Sequence, residues 1–200
     1  MLPTSASVGD AVSKIESLVV DLSTDAFNPE KNFELAVEYA NLKQTASAAS
    51  FFLRAAEYGY ETHPLIVYSS LLKISLCLSD QNDRDATLLN ALHEAIGYLP
   101  GRPEAYFLLS RWYERHNDWR KCYTFAEVGL NFAASTYNLP LPTYVEYEGP
   151  YCLIFEKAVS SWWLGRKEEC KTLFEHLLNN YEMAPGYVNS SLGNLKLFNK

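Results

Sequence analysis

The chain has 200 residues, 48% of them hydrophobic, which is enough to bury a sizeable core as one domain or as a short array of repeats. Its net charge of -7 argues against a nucleic-acid backbone as the main partner, and no stretch approaches the ~20 apolar residues that a membrane span requires. The 4 cysteines are far apart and include no CxxC pair, which argues against a zinc ribbon or a disulfide framework and favours a reduced, cytoplasmic setting.

Residues 1–28 are predicted to form a loose tail and then a helix that caps one end of the protein. The N-terminus MLPTSASVGD has neither the basic region nor the apolar run of a secretory signal. Apolar residues at three- and four-residue steps predict an amphipathic helix over residues 8–22. The dipeptide Asn28-Pro29 then marks a break before the next helix.

The most regular pattern in the chain predicts a helical hairpin that begins at residue 29. Small, aromatic, small, large and small residues follow one another at steps of 3, 9, 4 and 3, at Ala36, Tyr39, Ala48, Phe52 and Ala55. Gly59 is predicted to end the second helix in the C-terminal position where a left-handed residue is favoured.

Two further hairpins follow. The second begins after His63-Pro64 and fits the pattern loosely, because Leu78 and Leu88 stand where an aromatic and a small residue are expected. The third repeats the spacing with one departure, at Ser110, Tyr113, Cys122, Ala126 and Gly129. Its polar turn ends in Asp118, which can cap the next helix, and its small residues let the two helix backbones approach closely.

A Pro- and Tyr-rich insertion at residues 137–150 interrupts the rhythm, since its prolines and glycine are incompatible with a regular helix. A fourth hairpin begins at Tyr151 and carries Gly165 in its turn. Pro185-Gly186 then interrupts the chain, and residues 182–200 are predicted to form a terminal cap.

This spacing resembles the tetratricopeptide repeat family, over residues 29–181. The resemblance implies an all-α fold: a short right-handed solenoid of four tetratricopeptide-like helical hairpins with a capping helix. Four segments carry a narrower resemblance: RPEAYFLLSRWYERHNDWRKCYTFAEVGL, the insertion, YCLIFEKAVSSWWLGRKEEC and LLNNYEMAPGYVNSSLGNLKLF. Together they resemble the helical repeat region that follows the catalytic domain in some family-2-like glycosyltransferases of bacteria, phages and large viruses. It implies that this chain is the repeat region alone, either as a free-standing protein or as a separated piece of a larger one.

The sequence contains no recognisable catalytic, cofactor or metal motif. The acidic residues Asp80, Asp83 and Asp85 lie in a predicted helix–helix turn with no strand before them, unlike the metal-binding Asp-x-Asp of a nucleotide-sugar domain. The histidines lack ligand spacing, and no serine lies in a Gly-x-Ser-x-Gly turn. We therefore expect no enzyme and no cofactor.

The family resemblance places a partner-binding face on the first helix of each hairpin. The residues it assigns to this concave face are Phe33, Val37, Asn41, Phe107, Arg111, Arg115, Phe155, Val159 and Trp163. As alternatives, Phe107 and Phe155 are core residues between hairpins, and the two arginines form a solvated stripe paired with Glu114 or Asp118. Aromatics with two arginines favour an extended, partly acidic or aromatic segment rather than a Lys- and Asn-based grip on a terminal carboxylate.

The insertion is a second candidate contact. Tyr144 and Tyr147 offer broad rings and hydroxyl groups that suit protein or glycan binding. The alternative is that the loop folds over the junction of the third and fourth hairpins as a plug.

Three function classes follow from the sequence. The leading hypothesis is a non-catalytic protein-interaction scaffold that binds a protein or peptide segment. The second is an accessory module of a glycosyltransferase system, which docks the enzyme or holds its glycan acceptor. The third is an enzyme without recognisable motifs.

Overall fold

The computed structural model describes residues 5–79, 81, 84–133 and 139–199. Within these ranges the regular elements are ten α-helices and one short 3-10 helix, with no strand. They are α1 (Ser5–Thr24), α2 (Pro29–Asn41), α3 (Thr45–Gly59), α4 (Pro64–Ser79), α5 (Asp85–Tyr98), α6 (Glu104–Arg115), α7 (Trp119–Ala133), α8 (Pro150–Trp163), α9 (Lys167–Asn180), α10 (Pro185–Leu195) and the 3-10 helix Lys196–Asn199. Residues 1–4 of the predicted tail, Asp80 and Asp83 of the acidic turn, and Tyr137 of the insertion lie outside the described residues.

The helices pack in consecutive pairs, and three of the hairpins close through the same three-residue turn. The middle residue of each turn has a left-handed φ, of 59° at Lys43, 58° at Asn117 and 78° at Gly165. The amide of the last turn residue donates to the carbonyl five residues earlier, across 2.9 Å, 3.0 Å and 2.9 Å in the three hairpins. Glycine and asparagine adopt this conformation more readily than lysine, so the sequence signals the turn at two of the three places.

The small residues of the repeat pattern lie where helices touch, as predicted. Those without solvent exposure are Ala36, Ala48, Ala55, Ser110, Cys122 and Ala126. The tightest approach is at Gly129 of α7, where a Cβ atom would lie 2.8 Å from Tyr106 Cβ on α6 and 3.0 Å from Leu153 Cδ2 on α8. The polar turn of the third hairpin also behaves as expected, since the Asp118 carboxylate accepts from the amide of Lys121 at 3.1 Å.

The prediction that Gly59 is left-handed is wrong. Helix α3 does end at Gly59, but the glycines with positive φ in the described ranges are Gly149 and Gly165. Gly59 is instead buried, and a Cβ atom there would lie 3.2 Å from Pro29 Cβ and 3.3 Å from His63 Cβ. Close packing, and not backbone conformation, therefore explains the glycine.

The protein divides into two compact units. The first runs to Pro100 and includes Leu139–Val145, and the second begins at Gly101 and resumes at Glu146. In the first unit α1 packs on α2, where Lys14 Nζ lies 2.6 Å from Glu38 Oε1. In the second unit α10 packs on α9. In the described ranges, no helix combines the length and the apolar composition that a membrane crossing requires.

Candidate partner-binding cleft

The predicted binding residues of the first unit lie on α2, but Phe33 does not face solvent. Its ring is buried and packs edge-to-face against Phe52 of α3, with 5.5 Å between centroids. The prediction that Phe33 contacts a partner is therefore wrong, because the core of the first hairpin already covers it. Val37 is half-buried and Asn41 is exposed, so both remain predicted contacts.

The predicted residues on α6 separate into one core residue and two arginines. Phe107 is completely buried, and its ring packs at a tilt against that of Tyr147 with 5.6 Å between centroids, so the prediction that it binds a partner is wrong and the core alternative holds. Arg111 pairs with Glu146 at 2.5 Å, and not with Glu114 or Asp118. Arg115 is exposed and forms no salt bridge with any residue of the described ranges.

The predicted residues on α8 lie in different surroundings. Phe155 is half-buried and meets Tyr187 of α10 edge-to-face at 4.9 Å. Trp163, at the end of the helix, is exposed and stacks on Trp119 of α7 with 5.1 Å between centroids. Val159 is half-buried. Only Phe155 joins the two arginines in one cavity.

That cavity is a cleft of about 470 Å³ in the second unit, between α6, α8 and α10, hereafter the α6–α8–α10 cleft. It is lined by Arg111, Glu114, Arg115, Phe155, Glu156, Ala184, Gly186, Tyr187 and Ser190. Its volume falls within the ~300–1,000 Å³ of typical ligand pockets. Small residues on the α10 side leave room for a bound main chain, while the α6 side supplies charge.

Glu156 is a buried acid in this cleft, and the sequence analysis did not single it out. The pKa of its carboxyl is raised to about 8, first by burial and then by the nearby Glu114, while Arg111 and Arg115 partly oppose the shift. Near neutral pH the carboxyl is therefore mostly protonated and able to donate a hydrogen bond. A signal was present in the sequence, because Glu156 interrupts the apolar run that begins α8.

Tyr187 closes the opposite side of the cleft. Its ring contacts Phe155 and also Tyr151, the latter at 5.2 Å. Burial, with smaller contributions from Cys152 and Glu156, raises the pKa of its hydroxyl above the ordinary range, so the group stays neutral. Neither Tyr187 nor its small neighbours belong to the repeat pattern, which explains why the pattern did not indicate them.

The thiols near the cleft are poor nucleophiles. Burial raises the pKa of Cys122 to about 12, and it also raises the pKa of Cys152. A reactive cysteine requires a lowered pKa and access to solvent. In the described part of the chain, no group of three His, Cys, Asp or Glu side chains is arranged to hold a metal ion.

The two tyrosines of the insertion have different surroundings. Tyr144 belongs to the first unit and is exposed, and its carbonyl accepts from Lys73 Nζ at 3.5 Å. Tyr147 belongs to the second unit, where its ring covers Phe107 and its buried hydroxyl has no hydrogen-bond partner in the described ranges. A contact role thus suits Tyr144, whereas Tyr147 packs as a plug would.

Comparisons with protein-family models and with curated protein sequences find no match. Similar solved structures include a crystal structure of MamA, at 14% identity and a TM-score of 0.64, covering 85% of this chain and 88% of that chain. Another is a Podosopora anserina protein described as a kinesin light chain with nearly identical TPR-like repeats, at 16% identity and a TM-score of 0.62, covering 86% of this chain and 85% of that chain. Identities this low carry the fold alone. The chain thus has the all-helical fold of consecutive hairpins seen in tetratricopeptide-like repeat proteins.

Proposed function

We propose that the chain is a non-catalytic protein-interaction scaffold of tetratricopeptide type, and that the α6–α8–α10 cleft receives an extended segment of a protein partner. The observation that carries this proposal is the presence of Arg111, Arg115 and Phe155 in one cleft of the second unit. The family resemblance assigns the same three residues to a single binding face.

The chemistry of the cleft favours a segment that presents an acidic group beside an apolar or aromatic side chain. Arg115 is exposed and has no salt-bridge partner in the described ranges, so its charge is available to a ligand. Arg111 is shared with Glu146, and its guanidinium lies 5.9 Å from the centre of the Phe107 ring, which fixes its position. The Phe155 ring offers the apolar contact, and protonated Glu156 can donate a hydrogen bond to an acidic group.

Affinity capture with a matched pair of variants tests this proposal. The wild-type chain, Arg115→Glu and Arg120→Glu are each used as bait in lysate from the source cells, and bound proteins are quantified by mass spectrometry. Arg120 is an exposed arginine on α7 outside the cleft lining, so its reversal matches the charge change without touching the site. We expect partners that are lost with Arg115→Glu and kept with Arg120→Glu. Equal capture by all three baits would remove the cleft as the binding site.

Val37, Asn41 and Trp163 are proposed as additional contacts, as is Tyr144 of the insertion. Single substitutions to Ser in the same capture experiment test each of them. The alternative of an accessory module in a glycosyltransferase system has no support among the similar structures named above, and neither does a glycan ligand. Binding of a protein partner is therefore the function that we propose.

A further inference from the structure

A second cavity lies in the first unit, between α3, α4 and α5, and the proposed function does not use it. This α3–α5 groove has a volume of about 370 Å³. It is lined by Leu53, Ala56, Glu57, Tyr60, Val67, Leu71 and Glu94. We propose that it is a docking surface for a protein segment that presents large apolar side chains flanked by lysine or arginine.

The apolar part of the groove has a buried floor and two exposed walls. Val67 and Leu71 of α4 are buried and form the floor together with Ala56. Leu53 is 58% exposed and Tyr60 is 53% exposed, although both are large apolar side chains. Exposed apolar surface beside a buried floor is the arrangement that gains most from covering by a partner.

The Tyr60 wall is held in place before any partner binds. The ring of Tyr98 on α5 lies 5.0 Å from the ring of Tyr60, and its hydroxyl donates to the Tyr60 carbonyl at 2.6 Å. A wall that is already ordered loses little conformational entropy on binding. The volume, near the lower end of the ~300–1,000 Å³ typical of ligand pockets, suits one or two large side chains rather than a whole helix.

The charge around the groove is negative. Glu57 and Glu94 line it, both are exposed, and neither forms a salt bridge with a residue of the described ranges. Glu61 adds to the negative charge on this side of the first unit. The pKa of Tyr98 is raised by burial and by Tyr60, and the Glu61 carboxylate contributes after them. The lining contains no lysine or arginine, and nearby Arg54 lies over the Phe51 ring at 4.9 Å.

This combination selects one kind of occupant. A segment with acidic flanks would be repelled by the glutamates, and a purely apolar segment would leave their charges uncompensated. Lysine or arginine in the segment complements Glu57 and Glu94, which form the charged rim of the groove. A neighbouring leucine or phenylalanine complements the apolar floor. All lining residues belong to the first unit, so the inference does not depend on the α6–α8–α10 cleft.

The proposal is tested by titrating the full chain with peptides and monitoring its amide chemical shifts by NMR. The probe is an acetylated and amidated hexapeptide of two lysines, leucine, phenylalanine and two lysines. One comparison peptide has glutamate in place of each lysine, and the other has serine in place of leucine and phenylalanine. We expect the probe to shift amides around Leu53, Leu71 and Glu94, and both comparison peptides to bind at least about tenfold more weakly. Absence of these shifts, or equal binding of the serine peptide, would overturn the proposal.

Variants separate the groove from general charge attraction. Glu57→Lys/Glu94→Lys changes the rim, and Glu16→Lys/Glu182→Lys makes the same change in net charge at exposed positions outside the lining. The rim variant should weaken probe binding by about tenfold or more, whereas the control should keep most of the affinity. Leu53→Ser should also weaken binding without unfolding the chain, because Leu53 is mostly exposed. An equal loss in the rim variant and the control would show that only net charge matters, and the docking surface would then be rejected.

Discussion

Gly129 of α7 packs directly against Tyr106 of α6, at a distance that leaves no room for a side chain. A Cβ atom at position 129 would lie 2.8 Å from the Cβ of Tyr106, and both Leu153 methyl groups lie within 3.1 Å of the same point. The obstacles therefore come from two helices at once, so relief requires a helix to move. This contact sets how closely α6, α7 and α8 approach in the second unit.

Gly129→Ala should therefore destabilise the protein, although alanine is the better helix former. Overpacking of a tight core costs about 1–3 kcal/mol, which exceeds the gain of about 1 kcal/mol in helix propensity. Gly97→Ala in α5 is the matched control, because nothing lies within 4 Å of a Cβ there. Urea unfolding should show a lower free energy of unfolding for Gly129→Ala and no decrease for Gly97→Ala. A stabilised Gly129→Ala variant would contradict the packing described here.

The shared hairpin turn yields a second prediction. Lys43 holds a left-handed conformation that costs roughly 1–2 kcal/mol for a residue with a Cβ atom, whereas Gly165 adopts it freely. Lys43→Gly should raise the midpoint of urea unfolding slightly, and Gly165→Ala should lower it. Since a Cβ atom at position 165 meets nothing within 4 Å, any loss there reports on backbone conformation alone. Changes of the opposite sign would mean that these turns do not share one conformation.

The repeat pattern predicted the hairpins well because helix packing dictates residue size at fixed spacing. Ala48, Cys122 and Gly129 are small for the same reason, which is the contact between neighbouring helices. The pattern could not distinguish a residue that lines a groove from one covered by the next element. Phe107 occupies a predicted binding position, but Tyr147, from a segment 40 residues later, covers it.

The α6–α8–α10 cleft could be predicted only in part. Arg111, Arg115 and Phe155 follow from the family resemblance, which places the binding face on the first helix of each hairpin. Glu156 and Tyr187 depend on where α10 returns to the second unit, and sequence spacing carries no such information. The raised pKa of Glu156 is likewise a consequence of burial, which becomes known only when all its neighbours are in place.

Glu156 makes the stability of the protein depend on pH in a definite direction. Its pKa is about 8 in the fold, against an ordinary value of 4.5, so the folded state holds one more proton than the unfolded chain between these values. The stabilisation from protonated Glu156 is complete below about pH 4.5 and is lost as the pH rises towards 8. Glu156→Gln removes this dependence, and its free energy of unfolding relative to wild type should rise from pH 5 to pH 8.

Urea unfolding at several pH values between 5 and 8 measures the difference. Glu175→Gln is the control, because that carboxylate is exposed on α9 and lies 4.0 Å from Lys171. The plot of its free energy of unfolding against pH should run parallel to that of the wild type over the whole range. If the curve of Glu156→Gln also runs parallel, the Glu156 carboxyl is not held in its protonated form.

The insertion gives the last prediction, because its two tyrosines should respond differently to substitution. The ring of Tyr147 covers Phe107, so Tyr147→Ser should cost about 2–3 kcal/mol, below the full cost of removing a completely buried aromatic ring. Its buried hydroxyl lacks a hydrogen-bond partner in the described ranges, so Tyr147→Phe should keep or improve stability by about 1 kcal/mol. Tyr144 is 61% exposed, and Tyr144→Ser should change stability by no more than about 0.5 kcal/mol. Thermal unfolding measures all three variants, and affinity capture with Tyr144→Ser then asks whether this ring binds a partner.

Full capture by Tyr144→Ser together with an unchanged stability of Tyr147→Ser would leave the insertion a passive spacer.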